Sequence, residues 1–438
     1  MFRMSRIASL LSVSWIILAG QTSLVSWAQE TNVGQESPVV LGLVADKAGD
    51  PSPVIRWNVI ALETTRAAAF NPLRETRSLA IVSAAVFDAV NSITRRYEPY
   101  AVRVPAQATD SAEAAVHAAA HDTLVALYPD AAASLDAEYG RVLAALADGP
   151  AKARGLEDGR AVAAALLALR SFDHANDKVE YQPGNGVGVW QPTPPAGAPA
   201  LEPGWGKVTP FFLATGSQYR PEPPPALTSP DYIADFKEIA DVGAQGSPQR
   251  TAVQTEAARF WMSTAPQLWN QVVQQLAETH HLGISSTAFV FLLLNTAGAD
   301  AMIAAWDSKY AYNQWRPVTA IRAQLGDPTW TPLIPTPPFP DYIAGHTTYA
   351  GAAEAVLIHL LGERPGQFSI TSATASGAIH RYTSFGQVAD EVVNARVWGG
   401  VHWRTSCTVG RSVGNKVGVY TLRHMPRVRT GWCSGLIN

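Results

Sequence analysis

The sequence has 438 residues, of which 47% are hydrophobic and 16% are charged. This length and composition suit one large domain or two ordinary ones with a packed interior, and they exclude wholesale disorder. Lys and Arg number 33 against 36 Asp and Glu, a net charge of −3, so no basic excess indicates a nucleic-acid partner. With only two cysteines, a disulfide-stapled mini-fold and a cysteine-rich metal site are also excluded.

Residues 1–28 have the order of a secretory signal peptide. Two arginines precede an apolar run over 10–19, and small residues at 26 and 28 match a signal-peptidase site. The run is too short to span a bilayer comfortably, and no later apolar stretch reaches about 20 residues. We therefore expect a secreted or periplasmic protein with no membrane span. That compartment would allow a Cys407–Cys433 disulfide, with two buried free thiols as the alternative.

Helical periodicity dominates the rest of the chain, and strand signals are scarce. Over 75–93, for example, Leu79, Val82, Val86 and Val90 recur at the 3–4 spacing of one helix face. Helix after helix with short polar breaks predicts an all-α fold built as a helical bundle. The predicted helices cover 75–93, 111–127, 131–146, 155–169, 231–242, 251–262, 266–281, 286–313, 346–361, 387–396 and 405–422.

One segment of different composition divides the chain. Twelve of the 31 prolines lie in 183–230, and this density forbids regular helix or sheet. A flexible linker is one interpretation, but Trp190, Trp205 and Phe211 are more aromatic surface than a solvated linker needs. We therefore predict an extended segment that packs along the bundle surface. It separates an N-terminal helical unit, 29–182, from a C-terminal helical unit, 231–438, that carries the candidate site.

The first of three polar clusters lies at the end of the longest predicted helix. Lys309 and Arg316 are seven residues apart, about two helical turns, so both cations can lie on one face. Pro317 then limits the helix. Two like charges on one face repel each other unless an anion lies between them. A solvated basic face is the alternative.

The other two clusters combine histidine with glycine. Gly345 and His346 open a helix, where free N–H groups and close backbone approach favour an anion. Arg396 and His402 flank two glycines, whose turn lets both side chains converge. A capping histidine and a buried turn histidine are the structural alternatives.

In this order the clusters resemble the signature of the vanadium-dependent haloperoxidase and type-2 phosphatidic acid phosphatase superfamily. That signature reads Lys-x6-Arg-Pro, Pro-Ser-Gly-His and Ser-Arg-x5-His-x3-Asp. The resemblance extends to nearly the whole chain after the signal peptide, and the length and proline-rich middle are similar to secreted bacterial haloperoxidases. It implies two four-helix bundles.

The resemblance also implies a role for each matching residue. A tetrahedral oxyanion, vanadate or phosphate in its place, would lie among cations at the end of the bundle. His402 would be the covalent centre, as vanadium ligand or as phosphorus nucleophile, and His346 the acid–base group. The implied oxyanion-binding groups are Lys309, Arg316, Arg396 and the N–H of Gly345.

Three positions depart from the family pattern. Ala344 and Ala395 replace serines, so one hydroxyl donor to the oxyanion is absent. Ser406 stands where an aspartate usually orients the vanadium-binding histidine, and loss of such a partner typically weakens metal binding by about 10- to 100-fold. This predicts a weaker or retuned pocket. Asp300 is a candidate charge partner for one arginine.

Three functions remain open. The first is an exported vanadium-dependent haloperoxidase that uses hydrogen peroxide to oxidise a halide and acts on a small organic substrate. Trp306 and Phe339 favour it, because they match positions that line the halide side in vanadium chloroperoxidases. The second is an exported acid-phosphatase-type phosphomonoesterase that works through a phosphohistidine and needs no metal. The third is a degenerate, phosphate-binding member, favoured by Ala344 and Ser406. A homodimer is also among the open alternatives.

Overall fold

The computed structural model describes residues 52–68 and 71–429. Within them the fold is all-α apart from one small hairpin, which confirms the predicted fold class. The predicted signal peptide and Cys433 lie outside the described residues. The helices are α1 Ser52–Ala67, α2 Pro72–Thr94, α3 Ala112–Leu127, α4 Ala132–Ala145, α5 Pro150–Arg170, α6 Pro230–Val242, α7 Ala252–Phe260, α8 Ala265–Thr279, α9 Ile284–Tyr312, α10 Pro317–Leu325, α11 Gly345–Leu361, α12 Phe385–Trp398 and α13 Arg404–His424. The strands are β1 Phe368–Thr371 and β2 Ile379–Tyr382.

The sequence prediction omitted α1, α10 and the hairpin. Helix α10 has nine residues, begins at a proline and is capped at its C-terminus by Gly326, whose φ is +63°. It is too short to show a periodic apolar pattern. The strands have four residues each and pair antiparallel, with Phe368 opposite Tyr382. Glutamine side chains of α8 accept hydrogen bonds from the β1 N–H groups of Ser369 and Thr371. The hairpin therefore depends on a tertiary contact that no local pattern encodes.

Helix α9 is the central element of the bundle. Nearly all of its side chains are buried, and it packs against α2, α11 and α13. Among the described residues it is the one helix long and apolar enough to cross a membrane, yet its most apolar 18-residue stretch is entirely buried inside the protein. It is therefore placed as a core helix.

Helices α11 and α13 pack closely because small residues face each other. A Cβ on Gly414 would overlap the backbone of Thr348, and one on Gly351 would overlap that of Arg411. This approach holds the start of α11 beside the start of α13. The candidate site lies between these two helix starts.

Helices from both predicted units share one core. A single cluster of buried hydrophobic side chains runs from Val54 in α1 to Val417 in α13. All described residues belong to one compact unit. The division at 183–230 stays a prediction about the chain's organisation.

The proline-rich segment packs on this core, as predicted. Trp190 and Trp205 are buried, and one short 3-10 turn, Trp205–Lys207, interrupts the extended chain. The Asp300 carboxylate of α9 accepts hydrogen bonds from the N–H groups of Phe211, Phe212 and Leu213 at 2.6–3.0 Å. Asp300 was expected to be a charge partner for one arginine; the arginine whose charge acts on it is Arg170, outside the candidate site, while its oxygens anchor the segment.

Asp300→Asn should lower the free energy of unfolding by about 1–3 kcal/mol, the cost of leaving a buried polar group without its partner. The amide has a single acceptor oxygen and would turn an NH₂ group toward N–H donors. Urea unfolding followed by circular dichroism measures the loss. The matched control is Asp307→Asn, which removes an ion pair with Arg220, a side chain that is 41% exposed, and should cost about 0–1 kcal/mol. Equal losses would contradict the anchoring role.

Candidate active site

The second and third sequence clusters line one small cavity, and the cations of the first cluster pack directly against two residues of its wall, Phe339 and His402. Lys309 lies in the last turn of α9, and Arg316 immediately precedes α10. Gly345 begins α11, and Arg396 lies in the last turn of α12. The cavity measures about 40 Å³, room for a few water molecules or one small polyatomic ion. Its walls include Met302, Trp306, Phe339, Gly345, His346, Arg396 and His402.

The cations at this site are almost fully buried. Lys309 and Arg316 are 0% exposed, and Arg396 is 3% exposed. The Lys309 ammonium donates to the carbonyls of Pro340 and Asp341 at 2.9 and 2.8 Å. Burial, together with repulsion from Arg316, lowers the pKa of Lys309 well below its usual value. A buried anion would offset both effects.

At this site, one guanidinium nitrogen of Arg316 and one of Arg396 lack a protein partner. Arg316 uses Nε and Nη1 to bind the carbonyls of Phe339 and Val401, both at 2.7 Å. Arg396 donates through Nη1 to the carbonyl of Trp261 at 2.7 Å. Among the described residues, Arg316 Nη2 and Arg396 Nε are buried without a hydrogen-bond acceptor. Because unpaired buried donors are costly, these nitrogens and the N-terminus of α11 fit an oxyanion.

His402 lies beside a buried carboxylate that was not predicted from the sequence. Its Nδ1 lies 2.9 Å from Oδ1 of Asp341, which is completely buried. Arg316 Nη1 lies 3.6 Å from the same oxygen and 3.2 Å from His402 Nε2. Burial and the nearby cations lower the pKa of His402 well below its usual value, so the ring is neutral. Asp341 favours the tautomer protonated at Nδ1. In that tautomer the Nε2 lone pair faces Arg316 Nη1, so a metal or phosphorus bound at Nε2 would replace this contact.

Position 406 carries no carboxylate, as the sequence shows, but a carboxylate from another part of the chain lies beside His402. Asp341 precedes α11, 61 residues before His402 in sequence, and the fold brings it to the ring. Ser406 lies beside this loop instead, with its hydroxyl donating to the Asp341 carbonyl at 3.2 Å. Ala344 and Ala395, the other two residues that differ from the family pattern, each accept hydrogen bonds through their backbone carbonyl. The Ala344 carbonyl accepts from two threonine hydroxyls, and the Ala395 carbonyl accepts the N–H of Gly399.

His346 faces the cavity from the first turn of α11. Its Nε2 lies 3.0 Å from the carbonyl of Ser263, and its side chain lines the cavity. Burial, and next the charge of Arg396, lowers the pKa of His346 to about 3. A bound anion would raise that pKa by compensating the cations. The turn that follows α7 thus supplies backbone acceptors to both Arg396 and His346.

Trp306 and Phe339 form the apolar side of the cavity. Their ring centroids are 4.7 Å apart, and the indole N–H of Trp306 donates to the Leu201 carbonyl of the proline-rich segment. The Lys309 Nζ lies 4.9 Å and the Arg316 Cζ 4.6 Å from the Phe339 ring centroid. The aromatic rings therefore keep water away from the cations, which strengthens their field.

The structure brings together all eight residues singled out from sequence and adds Asp341 and Met302. Asp341 had one signal, an aspartate between a proline-rich stretch and a helix start. Met302 could have been found from its spacing, since it lies seven residues, about two helical turns, before Lys309.

Comparisons with known proteins agree with this geometry. Residues 289–431 match the family model for the VCPO second helical-bundle domain. The vanadium chloroperoxidase of Curvularia inaequalis is 30% identical over 187 residues, 34% of this chain and 31% of that protein. The chain thus aligns with about a third of this curated relative.

Solved structures extend the similarity to most of the chain. A bacterial vanadium-dependent iodoperoxidase superposes with a TM-score of 0.75 and 26% identity, covering 86% of this chain and 97% of that one. A holo-type bacterial vanadium-dependent chloroperoxidase has a TM-score of 0.69 and 17% identity, with 86% and 99% covered, and supports the fold alone. Together these similarities support the superfamily of vanadium-dependent haloperoxidases and type-2 phosphatidic acid phosphatases.

Proposed function

We propose that the protein is a vanadium-dependent haloperoxidase that oxidises a halide with hydrogen peroxide. One observation carries the proposal: Arg396, His346 and His402 line a cavity with room for one small anion, and the buried cations Lys309 and Arg316 pack against its wall residues Phe339 and His402. Three cations face one carboxylate there. The site therefore needs negative charge, and a tetrahedral oxyanion supplies it.

His402 Nε2 would ligate vanadium, while Lys309, Arg316 and Arg396 would hold the oxyanion oxygens. When bound, vanadate supplies Lewis-acid polarisation of peroxide without a change of metal oxidation state. The chain's part is to hold this charge in a dry cavity, which Trp306 and Phe339 shield.

His346 would manage protons at the cavity. In the anion-free protein it is neutral, and its Nε2 donates to the Ser263 carbonyl. Near a bound oxyanion its basicity rises, so it can take a proton from incoming peroxide and return it to a leaving oxygen. Its partial exposure at the cavity wall suits exchange with solvent.

A phosphomonoesterase is the alternative, because His402 and Asp341 would equally orient a nucleophile toward phosphorus. The apolar side of the cavity favours the haloperoxidase. Its walls of methionine, tryptophan and phenylalanine suit a halide and peroxide and offer no polar group to an ester's alcohol. We further propose that residues 1–28 direct export.

Parallel assays test the proposal on protein dialysed free of phosphate. One measures halogenation of a dimedone probe with orthovanadate, peroxide and chloride, bromide or iodide in turn. The other measures release of p-nitrophenol from its phosphate without vanadate. We expect halogenation that requires both vanadate and peroxide, and that added phosphate suppresses by competing for the site. Phosphate release that vanadate inhibits would replace the proposal with the phosphatase, and silence in both assays would leave a binding protein.

A further inference from the structure

We infer that Met302 is a modification site: during turnover its thioether is oxidised to the sulfoxide by the oxidised halogen formed in the cavity. This inference rests on the proposed haloperoxidase function. It concerns a side chain that the proposed reaction does not use.

Met302 belongs to the cavity wall. Met302, Trp306 and Lys309 follow one another at positions i, i+4 and i+7 of α9, so they share one face. Met302 is 6% exposed and borders the same cavity as His346 and His402. A Cβ built on Gly345 would come 3.2 Å from its Cε and 3.5 Å from its Sδ. The thioether therefore packs directly against the start of α11.

The chemistry needs no reagent beyond the product of the proposed reaction. A sulfur lone pair attacks the halogen of hypohalous acid and forms a sulfur–halogen bond as hydroxide leaves. Water then adds to sulfur, halide leaves with the bonding pair, and two protons are lost, one of which neutralises the hydroxide. The net change is thioether plus hypohalous acid to sulfoxide, halide and a proton. Sulfur is oxidised by two electrons and the halogen is reduced by two.

The sulfoxide would change the cavity that produced it. Oxidation converts a flexible apolar side chain into a polar, chiral one. Its new oxygen would occupy part of a cavity of about 40 Å³ that Gly345 also lines, and would compete there with the oxyanion. Oxidation of Met302 should therefore weaken oxyanion binding and end turnover.

The chain offers an internal control, because two other described methionines are more accessible. Met262 and Met425 are partly exposed, whereas Met302 is buried. An oxidant from bulk solvent should modify methionines in order of exposure. An oxidant made inside the cavity should reverse that order.

Peptide mass spectrometry after timed turnover with vanadate, peroxide and bromide tests the inference, with halogenation followed in the same tube. We expect oxygen addition at Met302 before Met262 and Met425, and the opposite order when hypobromite is added without turnover. Met302→Leu replaces the side chain with one of similar volume that cannot form a sulfoxide. We expect this variant to lose a smaller fraction of its initial activity per turnover than wild type does. Met425→Leu should inactivate like wild type.

Two outcomes overturn the inference. The inference is overturned if halogenation continues while Met302 stays unmodified, or if Met262 and Met425 are modified before it. Either outcome leaves the proposed function standing. Absence of halogenation overturns the proposed function, and the inference with it. If Met302→Leu fails to fold, the order of modification in wild-type protein still decides.

Discussion

Replacing Asp341 with asparagine should weaken orthovanadate binding by about 10- to 100-fold, the usual loss when the partner of a metal-binding histidine is removed. The amide can accept a hydrogen bond from His402 Nδ1 but carries no charge. It therefore cannot raise the basicity of the ring or fix its tautomer as strongly. Isothermal titration with orthovanadate, on variants with native circular dichroism, measures the change.

Two further variants make the Asp341 prediction specific. Asp300→Asn removes another buried carboxylate, one that binds backbone N–H groups away from the cavity, and should leave vanadate affinity unchanged. Ser406→Asp in the Asp341→Asn background returns a carboxylate to the position that the family usually uses. We expect it to recover part of the lost affinity. Wild-type affinity in Asp341→Asn alone would show that the contact with His402 contributes nothing.

Lys309→Met should separate anion binding from stability. The ammonium has three donors, of which two bind carbonyls, so one remains for an oxyanion. A hydrogen bond to a charged group contributes about 1.5–3 kcal/mol, so its removal should weaken phosphate or vanadate binding roughly 10- to 150-fold. The anion-free variant should be as stable as wild type or more stable, because the burial that lowers the pKa of Lys309 disfavours its charge.

The lowered pKa of Lys309 also predicts how the stability of the anion-free protein changes with pH. With its pKa lowered in the folded state, Lys309 binds fewer protons there than in the unfolded chain. Its contribution to the stability of the anion-free protein therefore improves as pH rises toward the unfolded pKa, about 10.4, and worsens as pH falls. Lys309→Met removes that slope.

Thermal and urea unfolding with and without phosphate measure the separation. At a phosphate concentration of about 100 times the wild-type Kd, wild type should gain about 2.7 kcal/mol and the variant about 0.3–1.4 kcal/mol. Equal gains would exclude Lys309 from the anion site.

The sequence predicts the parts of this molecule that local spacing encodes. The long helices α2, α9 and α11 follow from their apolar positions. The expectation that Lys309 and Arg316 share one helix face is wrong, because α9 ends at Tyr312 and Arg316 lies in the extended chain before α10. Helix α10 and the hairpin are too short to show a period, and the hairpin is completed by side chains of α8.

The site was predictable to a similar degree. Each signature residue lies in a local motif, so the cluster could be assembled by resemblance. Asp341 could not be assigned to His402, because that contact depends on the packing of two helix starts. The role of Asp300 likewise depends on which chain segment crosses α9, and spacing alone does not predict that.

A crystal structure of the protein soaked with orthovanadate tests the proposed site most directly. We expect vanadium bonded to His402 Nε2, oxyanion oxygens at Lys309, Arg316 and Arg396, and Asp341 retained on Nδ1. An empty cavity at saturating vanadate, or vanadium bound elsewhere with the cavity closed, would contradict the assignment of this cluster as the vanadate site.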